Sequence, residues 1–181
     1  MINAPVFTAP PLTPAPCPLR LRLMQKISIT IARVALSAWI GAATLFVVTS
    51  ISEQTSNASE MTLDVKNHLA ALRFPWYYLF GFVLVGAGLI SSAIGFSGSQ
   101  NRRRRGIIIA ILGLALALMV TDYVVIYSPL RDIVTRSDGV RDARFAELHR
   151  WSEQINTVDV TFCLMAAIAV CWPERRGDAQ N

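Results

Sequence analysis

His149, Ser152, Asn156, Asp159 and Cys163 follow one another at spacings of 3, 4, 3 and 4 residues. At helical periodicity that spacing puts all five on one narrow face. The side chains are chemically distinct: an imidazole that exchanges a proton near neutral pH, a hydroxyl, an amide, a carboxylate and a thiol. Together they form a polar stripe suited to holding a cation, a proton or a small solute. A second carboxylate, Asp122, stands sixteen residues into the preceding apolar run, or about 24 Å at helical rise. Asp159 stands about 6 Å into its own run from the opposite side by the same rise. The two carboxylates are therefore expected at similar depth on neighbouring helices, facing protein or a water-filled cavity, because a charge facing hydrocarbon is costly.

The stripe needs a helix to carry it, and the segment from Arg144 to Trp172 supplies one. Its charged, half-apolar first half runs into an apolar second half with no Pro or Gly between them, the pattern of a helix that starts in water and ends in lipid. Three further apolar runs lie upstream. With 181 residues, 53% of them hydrophobic, and a mean hydropathy of +0.43, the chain is too apolar for an ordinary soluble domain. The expected fold is all-α, an up-and-down bundle of four transmembrane helices whose last helix extends beyond the membrane. Spans are expected at about 27–50, 74–96, 106–128 and 155–172 within a transmembrane domain of residues 26–173. A Pro-rich tail, 1–25, holds six of the nine prolines and is expected to be disordered; translation from Met1 and from Met24 both remain open. Residues 174–181 form a short second tail.

Details of the spans follow from local chemistry. Pro75 is expected in the first turn of the second span, with Trp76, Tyr77 and Tyr78 at the membrane–water interface and a short surface helix before it. Pro129 is expected to begin the loop after the third span, with Asp138-Gly139 as its turn. Ser37 with Gly41, Ala38 with Ala42, and the row Ala87, Ser91, Gly95 repeat at four residues, as in close helix packing. Arg33 is expected to reach back to head groups without pairing to either carboxylate.

The net charge of +5 is concentrated beside the apolar runs, and no nucleic-acid module is visible. Four consecutive arginines, Arg102, Arg103, Arg104 and Arg105, give the strongest topological signal and a possible contact for anionic head groups. They place that loop and both termini in the cytoplasm, in the inner membrane of a bacterium. The three cysteines are too scattered for a disulfide framework. A metal site would draw on His149, Asp122, Asp159 and His68, whose spacing matches no recognised ligand pattern, so no metal or other cofactor is expected. Neither histidine lies inside a span, which disfavours a haem held between helices.

Residues Arg144 to Asn156 resemble the closing motif of the DUF4149 and TMEM205-like family of four-helix membrane proteins. In that family a Leu-His pair is followed by Ser three and Asn seven residues after the His, as at Leu148, His149, Ser152 and Asn156. Trp39-Ile40-Gly41 is similar to the family's early Trp-x-Gly. Val125 to Leu130 is similar to the Ile, Pro and Leu that close its third span. The likeness covers roughly Lys26 to Trp172 and departs at Ser50-Ile51-Ser52-Glu53 and at Asp159. It implies the four-helix fold, similar in outline to copper-resistance D-type membrane proteins, and no settled activity.

Two functions are weighed from the residues. The first is a structural or partner-binding membrane subunit, as a homo-oligomer or beside a membrane partner, in which the stripe hydrogen-bonds helices together. The alternative is cation, proton or small-solute binding or transport through the stripe. An enzyme is not expected, for want of a converging base, nucleophile and orienting group.

Overall fold

The computed structural model describes residues 18–96, 102–135 and 142–173. Residues 1–17 of the Pro-rich tail, the turn at Asp138-Gly139 and the tail from residue 174 lie outside them, whereas residues 18–25, expected to be disordered, belong to the first helix. Four apolar helical segments are long enough to cross a membrane, and the described chain contains no strand. Helix α1, Pro18–Thr55, packs against α2, Leu63–Gly95. The third segment comprises α3, Arg102–Thr121, a π-helical stretch, Asp122–Tyr127, and α4, Ser128–Val134. Helix α5, Ala143–Cys171, packs on α3 and on α1, so the four segments close into a ring. At 29 residues α5 is about 43 Å long, against roughly 30 Å of hydrocarbon.

Local chemistry sets the ends. The Thr62 side chain accepts from the Val65 N–H, and the Asp142 carboxylate accepts from the Phe145 N–H at 2.8 Å, capping α2 and α5. Helix α5 stops before Pro173, which favours extended backbone in the residue ahead of it, and Trp172 is extended. Hydroxyls on outward faces bond to their own helix: Thr44, Thr121, Thr157 and Thr161 each donate to the carbonyl four residues back. No hydroxyl there needs water.

The prolines do not end helices where the sequence suggested. No separate surface helix precedes the second span: α2 starts at Leu63 and runs through Pro75 to Gly95. Pro75 has no N–H to give the Ala71 carbonyl. The third segment likewise continues through Pro129 to Val134 instead of looping out. Its ring is accommodated by the wider turn just upstream, where the Ser128 N–H reaches the Tyr123 carbonyl, five residues back.

The core is a band of fully buried side chains, Trp39, Leu36, Val85, Ile108, Leu112, Cys163 and Val170. Large apolar side chains also cover the outside, with Leu45 at 65% exposure, as expected when lipid is the solvent. The closest helix approach is shifted from the expected row. Ala87 and Ser91 are only half-buried, while Gly81, Gly88, Ser92 and Gly95 are buried. A Cβ at Gly88 would meet Leu36 Cδ2 at 2.8 Å, and one at Gly95 would meet Ile29 Cγ1 at 2.7 Å and the Ile29 backbone nitrogen at 3.1 Å. Ser37, Ala38, Gly41 and Ala42 instead face outward, with nothing near a Cβ at Gly41. Gly95→Leu is therefore expected to lower stability by about 1–3 kcal/mol through overpacking, while Gly41→Leu changes it by less than about 0.5 kcal/mol. Detergent unfolding curves of the two variants check the pair; equal effects would contradict this packing.

Candidate functional site

From Ser152 to Cys163 the polar stripe of α5 faces the bundle, and the residues it meets come from the other segments. Asp122 is 4% exposed and Asp159 2%. The Asp122 Oδ2 accepts from the Tyr78 hydroxyl at 2.6 Å and from the Ser152 hydroxyl at 3.2 Å, while its Oδ1 has no hydrogen-bond partner. Among the described residues no Lys, Arg or His lies within ion-pair distance of it. One turn further along α5, Asn156 accepts from the Tyr77 hydroxyl at 2.5 Å. Asp159 lies deeper, and its Oδ1 is also unpartnered. Cys163, deepest of the stripe, is a buried free thiol beside Trp39. Cys171 is free and exposed.

Above this layer a cleft of about 470 Å³ opens between the helices at the end of the bundle that carries Gln54 and Arg131. Tyr77, Tyr78, Asp122, Ser152 and Asn156 form its polar floor, and Phe46, Phe74 and Tyr127 belong to its walls. The aromatic rings touch in series: Trp39 to Tyr77 at 5.0 Å between centroids, Tyr77 to Phe46 at 4.3 Å and Phe74 to Tyr127 at 5.7 Å. The Tyr127 hydroxyl has no partner. At the rim Arg73 holds Glu53 with both terminal nitrogens and lies over the Phe46 ring, 5.8 Å from its centroid.

His149 belongs to the rim and not to the floor. It is half exposed, pairs with Glu153 at 3.2 Å and stacks on Phe145. No set of three or more His, Cys, Asp or Glu side chains able to hold a metal forms among the described residues. Asp159 and Cys163 do not line the cleft. No family model, curated protein or solved structure matches this chain. The reading of the site therefore rests on its own geometry.

Several of its parts were not visible in the sequence reading. Tyr77 and Tyr78 were expected in an interfacial belt, where Trp76 does sit at 61% exposure, but Tyr78 is 3% exposed; Tyr77 donates to Asn156 of the stripe and Tyr78 to Asp122. The signal was there: at helical spacing Tyr77 and Tyr78 lie on the same face as Gly81 and Val85, all of them buried. The arginines have work of their own. Arg33 donates through Nε and a terminal nitrogen to the Val170 carbonyl at 3.3 and 3.2 Å, and Arg104 donates to the carbonyls of Ala169 and Trp172. Two guanidinium groups thus take carbonyls left open at the end of α5 and complement its negative end. Arg102 and Arg103 are exposed.

Proposed function

We propose that this integral membrane protein binds a small solute in the cleft, with Asp122 as the group that recognises it. The observation that carries this reading is the buried Asp122 carboxylate, held by Tyr78 and Ser152 with Oδ1 unspent, at the floor of a cavity of ligand size. A side chain serving only to join helices would be expected to have both oxygens satisfied. The protein acts by binding and not by group transfer, since the Ser152 hydroxyl is committed to Asp122 and the imidazole of His149 to Glu153. We place Arg102 to Arg105 and both termini in the cytoplasm of a bacterial inner membrane, so that the cleft opens on the far side. Membership of the DUF4149 and TMEM205-like family is part of the proposal, resting on Leu148, His149, Ser152 and Asn156.

Thermal unfolding in detergent, scanned against protons, alkali metals, copper, zinc and a panel of organic solutes, tests the reading. A bound solute at about 100 times its Kd adds about 2.7 kcal/mol to the folded state. Stabilisation by any solute in wild type, lost in Ala71→Trp, which fills the cleft, is the expected result; no shift from any of them would overturn it. A second reading, a structural subunit that docks a further membrane helix or a second copy, is favoured by the outward small-residue face at Ser37, Ala38, Gly41 and Ala42. Crosslinking through a cysteine placed at Ala38 would report it.

A further inference from the structure

We propose that the solute is a protonated organic amine with an apolar body, its ammonium group held by Asp122 and by the rings around it. The inference rests on the solute-binding reading above and narrows its chemistry. Phe46, Phe74, Tyr77, Tyr78 and Tyr127 line the cleft together with Asp122. Aromatic faces carry negative potential and attract a cation within about 6 Å of the centroid. One of these rings already does so, since the Arg73 guanidinium lies over Phe46 at 5.8 Å. The other rings have no cation over them among the described residues.

Unspent hydrogen-bonding capacity of both kinds lines the cleft: the Ser50 and Tyr127 hydroxyls and the Arg73 Nε have no partner, while at the floor the Asp122 Oδ1, an acceptor, is buried without a donor. An ammonium group supplies donors and the compensating charge at once. A bare metal ion fits less well, because it wants several converging oxygen ligands, whereas this wall is mainly rings. An organic anion would meet Asp122 with like charge, and of the two arginines at the cleft Arg73 is already engaged by Glu53. The volume, about 470 Å³, leaves room for a body well beyond the ammonium group.

Phenylbutylamine, phenylbutanol and phenylbutyrate share one skeleton and differ in the end group, so equilibrium titration of the full chain in lipid nanodiscs near neutral pH isolates the charge. The amine is expected to bind on the order of tenfold tighter than the alcohol, with the carboxylate weakest. Asp122→Asn is expected to remove that advantage, so that amine and alcohol bind the variant with equal affinity. The wild-type comparison decides the matter even where this variant fails to fold. Equal affinity for amine and alcohol, or tighter binding of the carboxylate, overturns the amine assignment and leaves the cleft as a solute site. Absence of binding by all three also overturns the amine assignment, and the solute-binding reading is then decided by the thermal scan.

Discussion

Trp39→Ala is expected to destabilise the protein more than any other single truncation. The indole is 0% exposed, lies 5.0 Å from the Tyr77 ring, and stands where a Cβ at Gly81 would come within 2.8 Å of its Cη2. Glycine on α2 therefore makes the room that the indole on α1 fills. Removing a buried Trp from a water-soluble core costs about 3–5 kcal/mol, part of it transfer and part of it the cavity left behind. Here lipid already relieves most of the transfer cost, so the loss is one of packing and is expected at the lower end of that range. Unfolding by titrated denaturing detergent measures it, with Trp39→Phe as the milder companion. A loss below about 1 kcal/mol would mean that the helices close the gap and that Trp39 does not set their spacing.

Asp159→Leu is expected to have the opposite sign. The carboxyl is 2% exposed, one oxygen has no partner, and it lies below the cleft rather than in it. Burying an unsatisfied polar group costs about 1–3 kcal/mol, and replacing it by an apolar group of similar shape recovers a comparable amount. The variant should therefore unfold later than wild type. A drop in stability greater than about 1 kcal/mol would instead show that Asp159 fastens α5 to its neighbours. Gained stability together with lost solute-dependent protection would mark a residue kept at a cost to the fold.

The four spans were legible because membrane helices announce themselves by composition over some twenty residues, and the stripe was legible because 3-and-4 spacing is unambiguous once a helix is granted. What failed was punctuation. In water Pro75 and Pro129 would be read as helix boundaries; in lipid, leaving the helix exposes more backbone than running through the proline does, and the chain continued. Tyr77 and Tyr78 share a helix face with the buried Gly81 and Val85, but composition alone reads aromatic residues near the end of a span as an interfacial belt. The small-residue rows were equally ambiguous. Gly95 was expected at the helix interface and is there, but Ala87 and Ser91 gave way to Gly88 and Ser92, and Gly41 faces out. Small residues permit contact, and only the partner's shape, here Leu36 and Ile29, selects which of them make it. The Arg104 contact was hidden for another reason: capping a distant helix end leaves no trace in local sequence.

The grip of Arg33 and Arg104 on α5 is confined to its last turn, at Ala169, Val170 and Trp172. Hydrogen bonds to carbonyls that point along the axis resist sliding more than they resist tilting. The axial position of α5 is thus set at one end by guanidinium groups. About 25 Å away along its axis, at helical rise, Ser152 and Asn156 are tied to Asp122 and to Tyr77 by side-chain hydrogen bonds. The same helix is therefore anchored through its backbone at one end of the bundle and through its side chains at the cleft floor.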